Sequence, residues 1–213
     1  MKSIAWLGLC LIALSPATAT AAGNGVTEVR EYDIFRDGSE IGSHVVTITR
    51  DSDRTTVNVK TDIKVKVAFI TAYRFEHERT ETWDQDRLLR VESQTDDDGE
   101  KFAITTQATD NGYRRTVNGR TDAFDGQIRL ISFWDRDRIL SGNTFISAMV
   151  DETYDLSFSA PAVDELWIQN RSYEAEHYKM SGDLDYEMWY TSDGHPLKIA
   201  FEKRGSQIEW VLK

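Results

Sequence analysis

The sequence predicts an all-β protein, an antiparallel meander curled into an incomplete or closed barrel, with a short, partly helical crossover near residues 126–140. Three observations predict this fold class. Polar turn signals recur along the chain, the segments between them alternate apolar and polar residues, and several of these segments exceed ten residues. Alternation with a period of two is typical of strands with one buried face. Long strands in a meander must twist, which favours curling over a flat sheet.

The first 22 residues are predicted to be a secretory signal peptide, and residues 23–213 a single β domain. An apolar run follows Lys2 and ends at Leu14, and small residues with a proline come next. The run is shorter than the about 20 residues of a membrane-spanning helix, and the small residues resemble a cleavage site. We therefore expect a periplasmic or secreted protein without a transmembrane segment in its mature chain; a retained N-terminal anchor is the alternative.

The predicted mature chain is acidic and lacks cysteine. Lys2 is the only charged residue before Gly23, so loss of the signal changes the net charge from −11 to −12, and Cys10 is lost as well. Without disulfides, stability must come from the burial of a core, for which roughly 190 residues suffice. The negative charge predicts repulsion from nucleic acids and anionic lipid head groups, so no nucleic-acid partner is expected.

The strands are separated by clusters of Asp, Asn, Ser and Gly, which favour tight turns. These clusters lie at Asp37–Ser39, Asp51–Asp53, Asp84–Asp86, Asp96–Gly99, Asp110–Gly112, Asn118–Gly119, Asp193–Gly194 and Arg204–Ser206. In the segment 57–67, valine and isoleucine hold one face, while Asn, Lys and Asp hold the other. The segments near the C terminus alternate in the same way, with Trp189 as an exception on the polar side.

Residues 126–140 break this alternation and predict one or two short helical turns, with Ser132 or Asp135 as the cap. A crossover in a curled meander covers an end of the barrel, so Phe133 and Trp134 are interpreted as a plug for the core. The alternative interpretation makes Trp134 one wall of a ligand-binding mouth.

Several motifs resemble a family of exported proteobacterial proteins catalogued as domain of unknown function six-one-three-four. They are Tyr32–Ile34, Arg36–Gly38, Ile41–His44, Ala68–Ile70, Tyr73–His77, Glu81–Trp83, Ser132–Trp134, Tyr178, Gly182–Leu184, Met188–Tyr190 and Arg204–Glu209. The resemblance covers most of the mature chain. It implies a secreted or periplasmic all-β domain without an assigned activity, and it supplies no catalytic residues.

The sequence predicts no catalytic residue, no metal site and no cofactor. Its four histidines are far apart, no two have the spacing of ligands on one helix, and only His77 and His177 are expected in the middle of a strand. Carboxylate pairs such as Glu76 and Glu78 fit a solvated charge ladder between strands. The mature chain has no cysteine nucleophile, and it contains neither a Gly-x-Ser-x-Gly elbow nor a glycine-rich phosphate loop.

A ligand-binding face is predicted where large aromatic and polar side chains share one strand. A curled sheet with aromatics inside is either a filled core or an apolar cavity, and a dry core tolerates polar groups badly. The predicted ligand-binding residues are Tyr73, Phe75, His77, Arg79, Trp83, Trp134 and His177.

This face predicts a non-enzymatic binding or envelope-associated protein with an apolar concavity. Its expected partner is an apolar or lipid-like small molecule or another envelope protein. The alternative is a periplasmic hydrolase acting on envelope polymers through strand carboxylates or a site that contains histidine. It would gain support if His77 and His177 met beside a shared carboxylate.

Overall fold

The alternating segments form strands of a single antiparallel sheet in a computed structural model that describes residues 25–67 and 69–213. The predicted signal peptide, residues 1–22, lies outside the described residues. The strands are β1 (Val26–Arg36), β2 (Ser39–Asp51), β3 (Arg54–Val67), β4 (Ile70–Asp84), β5 (Arg87–Asp97), β6 (Glu100–Ala108), β7 (Gly112–Val117), β8 (Arg120–Asp125), β9 (Thr144–Ile146), β10 (Thr153–Phe158), β11 (Ala162–Ile168), β12 (Arg171–Gly182), β13 (Tyr186–Tyr190), β14 (Pro196–Lys203) and β15 (Ser206–Leu212).

The sheet joins the two ends of the described chain, because β1 pairs with both β2 and β15. Tyr32 lies opposite His44 on one side and opposite Leu212 on the other. The strand order is β8-β7-β6-β5-β4-β3-β2-β1-β15-β14-β13-β12-β10-β9, and β11 pairs with β12 outside this path. Strands β8 and β9 end the order, so the described sheet is not closed. The predicted fold class is confirmed, in its incomplete form.

The sheet has a buried inner face, on which alternate side chains of most strands form the main core. In β1 and β2 these core residues are Tyr32, Ile34, Val46 and Ile48. A smaller core lies on the outer face, where Ile168 of β11 and Ala175 of β12 pack with Trp189. The β11–β12 hairpin thus covers part of the outer face, which explains why Trp189 stands on the polar side of β13.

The predicted crossover contains the single helix of the described residues, α1 (Arg136–Ile139), and it fills part of the space inside the curled sheet. The Asp135 carboxylate caps α1 by accepting from the backbone N–H groups of Asp137 and Arg138, so Asp135 and not Ser132 is the cap. Trp134 is 4% exposed and Phe145 is fully buried. The plug interpretation is confirmed for Trp134. No helix in the described part of the chain is long and apolar enough to cross a membrane.

Several tight turns between strands lie at the same end of the sheet. The β1–β2 turn has positive φ at Asp37 (48°) and Gly38 (78°), and the β14–β15 turn has positive φ at Arg204 (54°) and Gly205 (75°). Two consecutive residues with positive φ are typical of the type I′ turn that fits the twist of a hairpin. In the antiparallel meander these two turns lie at the same end of the sheet as the β3–β4 and β5–β6 connections.

Candidate functional site

Two buried histidines lie in one row across the inner face near that end of the sheet. His44 is opposite Thr61, Thr61 is opposite His77, and His77 is opposite Thr95. His44 Nδ1 is hydrogen-bonded to Thr61 Oγ1 at 2.8 Å, and His77 Nδ1 to Thr95 Oγ1 at 2.9 Å. The strand register therefore places a threonine hydroxyl beside each imidazole ring, and the hydrogen bond to that hydroxyl fixes the orientation of the ring. The expectation that only His77 and His177 lie in the middle of strands is wrong, because His44 lies in the middle of β2.

Both imidazole rings in this row are neutral. Burial, together with the weaker effect of the positive charge of Arg79, lowers the pKa of His44 to about 3 and the pKa of His77 to about 2. A neutral imidazole donates from one ring nitrogen and accepts at the other. Among the described residues, the buried Nε2 of His77 has no hydrogen-bond partner.

Aromatic rings cover the histidine row. Trp210 stacks on His44, with 4.4 Å between the ring centroids, and meets Phe133 and Phe201 edge-on at 6.3 Å. Tyr186 stacks between Phe133 at 5.6 Å and Phe201 at 4.4 Å.

On the β4 side of the row, the Phe75 ring lies 6.4 Å from that of His77. We use the term aromatic layer for the partly buried side chains Phe75, Phe133, Tyr186 and Phe201. Beneath it, the buried Trp210 Nε1 also has no hydrogen-bond partner among the described residues. Two neutral ring nitrogens below an apolar surface therefore lack a hydrogen-bond partner among the described residues.

Glu81 occupies a second polar centre, deeper in the inner face. It is fully buried, and its Oε1 accepts from Arg79 Nε at 2.7 Å and from Ser132 Oγ at 2.8 Å. Its Oε2 accepts from Trp83 Nε1 at 2.9 Å and from Trp134 Nε1 at 3.0 Å. Each carboxylate oxygen has two donors, so the buried charge is well compensated. The arrangement holds the crossover against β4, and internal donors occupy both carboxylate oxygens of Glu81.

Other buried polar side chains of the inner face also bind the crossover segment or the loop after it. Arg30 Nη1 donates to the carbonyl of Trp134 at 2.7 Å, Ser93 Oγ to that of Ala148 at 2.6 Å, and Arg115 Nη2 to that of Val150 at 3.0 Å. These three side chains of the inner face therefore have an internal partner. This accounts for Arg79 among the predicted ligand-binding residues without an external ligand.

His177 lies on the opposite face of the sheet from the aromatic layer. Its ring stacks on Trp189, with centroids 4.4 Å apart and planes 9° from parallel. Its Nδ1 is 3.0 Å from Asp164 and its Nε2 is 3.3 Å from Glu187. Tyr178 and Met180, the alternate residues of β12, face the main core instead. His77 and His177 are therefore not brought together.

The other predicted site residues lie on the inner side. Tyr73, Phe75, His77, Arg79 and Trp83 alternate along one face of β4, and Trp134 meets Trp83 edge-on at 6.4 Å. Tyr73 and Phe75 are partly exposed, whereas Trp83 and Trp134 belong to the packed core.

Sequence reasoning missed His44, Glu81, Ser132 and Trp210. The alternation of side chains along the strands could have assigned three of them to the inner face. His44 shares its face with Val46 and Ile48, Glu81 with Arg79 and Trp83, and Trp210 with Ile208. Ser132 carries no such signal, because it lies in the irregular crossover.

Two open cavities lie away from the aromatic layer. One of about 810 Å³ extends along β2 to β7 and includes Thr47, Lys60 and Glu78; the other, about 460 Å³, lies beside Glu28 and His195. Among the seven predicted site residues, Arg79 alone lines either of them. Within the described residues, no group of three or more His, Cys, Asp or Glu side chains could hold a metal ion.

Comparisons with known proteins support the fold. A family model described as "Domain of unknown function (DUF6134)" matches residues 32–213. The chain is also similar to the crystal structure of a beta-barrel-like protein of domain of unknown function DUF1849 from Brucella abortus. The TM-score is 0.63 at 12% identity, over 90% of this chain and 98% of that chain. At this identity the likeness shows the fold alone. A search of curated proteins gave no match.

Proposed function

Because this chain belongs to the DUF6134 family of domains of unknown function, we propose its function from its own geometry, as a non-enzymatic binding protein of the bacterial envelope. The proposed ligand is a neutral, apolar or lipid-like molecule, and the proposed site is the aromatic layer. Location in the envelope rests on the apolar run and small residues that precede Gly23.

The observation that carries this proposal is the pair of buried ring nitrogens beneath partly exposed aromatic rings. Buried polar atoms are nearly always hydrogen-bonded, and those without a partner need an explanation. His77 Nε2 and Trp210 Nε1 have none among the described residues. A carbonyl or hydroxyl oxygen of a ligand could accept from Trp210, while the apolar body of that ligand contacts the rings. Such a combination of apolar walls with a few polar groups is typical of small-molecule sites.

Electrostatics favour a neutral ligand group at this depth. His44 and His77 are uncharged because burial depresses their pKa, and the Arg79 guanidinium is paired with the Glu81 carboxylate. A buried carboxylate or phosphate would therefore have no cation to compensate its desolvation. At the rim, the Arg204 guanidinium lies 5.9 Å from the centre of the Tyr73 ring. A charged head group would be accommodated there, in contact with water.

The alternative hydrolase receives less support from this geometry. His77 faces the inner side, whereas His177 lies against Trp189 on the outer side. Glu81, the fully buried carboxylate of β4, already accepts four hydrogen bonds. A general base needs a pKa near the working pH, and the pKa of His77 lies far below it.

Binding of an apolar fluorescent probe tests the proposal. The purified protein is titrated with N-phenyl-1-naphthylamine, and we expect a saturable rise in fluorescence. Phe201→Lys, which places a charge in the aromatic layer, should weaken binding on the order of tenfold. Gln94→Lys is the matched control, because Gln94 is exposed on β5. Equal affinities of the two variants, or no saturable binding by the natural protein, would refute the proposal.

A further inference from the structure

The β3–β4 hairpin extends beyond the strands on both of its sides. Pairing of β3 with β2 stops at Ile63, opposite Gly42, and pairing of β4 with β5 stops at Phe75, opposite Asp97. Beyond these points, β3 and β4 pair only with each other in the described part of the chain. The four residues from Lys64 to Val67 correspond to a projection of roughly 13 Å at 3.3 Å per residue.

The projecting end of the hairpin exposes two large apolar side chains. Phe69 is 101% exposed and Ile70 is 74% exposed, relative to a fully accessible side chain. Neither contributes to the main core, so their apolar character is not explained by folding. Contiguous exposed apolar residues of this kind mark sites of contact with a protein or a membrane.

The same hairpin end is positively charged in an acidic protein. Between Ile63 and Phe75 the sequence contains three basic residues and no acidic residue, although the whole chain has a net charge of −11. Lys64 lies directly opposite Arg74, and Arg74 forms an ion pair with Glu76. Closer to the body of the sheet, Lys60 is paired with Glu78 at 2.7 Å. An anionic surface would supply a counter-charge to Lys64 and Lys66.

We propose that this hairpin end docks on an anionic lipid bilayer. Phe69 and Ile70 enter the boundary between head groups and acyl chains, and Lys64 and Lys66 contact lipid phosphates. Interfacial binding of this kind combines apolar burial with attraction to anionic lipids. The acidic remainder of the chain is repelled by the same surface, so contact stays limited to the hairpin and is reversible.

The geometry favours a bilayer over a protein partner. A stable protein interface buries about 800 Å² on each partner, and two side chains at the end of a narrow hairpin offer much less. A bilayer needs no complementary pocket, because it accepts isolated apolar side chains. The hairpin also leads to Tyr73 and Phe75 at the edge of the aromatic layer. If the proposed function is correct, docking would bring that layer next to a source of lipid-like molecules, but docking itself does not depend on it.

Vesicle flotation tests the docking proposal. Protein expressed from the full sequence is mixed with phosphatidylcholine vesicles containing ~30% phosphatidylglycerol, or with pure phosphatidylcholine vesicles. We expect flotation with the anionic vesicles and little with the neutral ones. Phe69→Ser with Ile70→Ser should weaken binding on the order of tenfold. Lys64→Gln and Lys66→Gln should each weaken it about fivefold, and less so at high salt.

Val163→Ser with Trp167→Ser is the matched control, since these β11 side chains are 70% and 71% exposed. It should leave vesicle binding unchanged. An equal loss in the control would indicate non-specific adsorption and overturn the proposal, as would equal binding to both kinds of vesicle. Self-association abolished by the Phe69 and Ile70 substitutions, without vesicle binding, would assign the hairpin to a protein contact instead. The probe titration at the aromatic layer contains no vesicles, so the two proposals can fail separately.

Discussion

The indole N–H of Trp134 donates to the Glu81 carboxylate across 3.0 Å, joining residues 53 positions apart in the chain. Ser132 donates to the other oxygen of the same carboxylate. Because α1 follows directly after Trp134, this pair of bonds fixes where the crossover enters the curled sheet. The stability of the whole inner face should therefore depend on Glu81.

Glu81→Gln should destabilise the protein by about 3–5 kcal/mol, because it leaves the buried Arg79 guanidinium without its counter-charge. Urea unfolding followed by tryptophan fluorescence measures the effect. Glu78→Gln on the same strand removes only an exposed ion pair with Lys60 and should have little effect on stability. Similar losses in both variants would contradict the role assigned to Glu81.

Trp134→Phe should lower the free energy of unfolding more than Trp210→Phe, although both substitutions replace a buried indole by a smaller ring. The N–H of Trp134 is hydrogen-bonded to Glu81, whereas that of Trp210 has no partner among the described residues. Loss of a hydrogen bond to a buried charged group costs about 1.5–3 kcal/mol. Chemical denaturation of both variants gives the difference, and equal costs would show that the bond contributes nothing.

Stability should fall as the pH drops below about 6.5. The pKa values of His44 and His77 are lower in the folded state, about 3 and about 2, so the unfolded chain binds more protons in this range. Each histidine then contributes a loss of up to about 1.4 kcal/mol per pH unit. This loss begins at the unfolded pKa and continues down to the folded one.

The pH dependence can be assigned by substitution. Unfolding free energies measured between pH 7 and pH 5 should show the slope before most carboxylates titrate. His77→Gln should remove about half of the slope that the two buried histidines produce. A slope that survives replacement of both His44 and His77 would contradict burial as its cause.

Export is expected to remove the first 22 residues. Expression of the full sequence in a bacterium with a C-terminal tag, followed by osmotic release of the periplasm and intact-mass measurement, identifies the new N terminus. A product beginning between Thr20 and Gly23 is expected from the small residues after the apolar run. A cell-associated product that retains Met1 would indicate a membrane anchor instead.

The sequence by itself determined which face of β4 is buried. In β4, alternation places Tyr73, Phe75, His77 and Arg79 on one face, and the structure finds all four there. The turn residues of the sequence also determined where strands end, as at Asp37–Gly38. Both signals are local, because side chains alternate with period two along any strand and tight turns need specific backbone angles.

Only the tertiary structure decided how those faces meet. The His44–Thr61–His77–Thr95 row depends on the register of four strands, and a shift of one residue would turn each side chain to the other face. The partners of Glu81 come from a crossover without periodicity. His177 differs from His77 because the β11–β12 hairpin covers the outer face at Trp189. Local periodicity assigns a residue to a face, whereas long-range pairing determines which face is covered and by what.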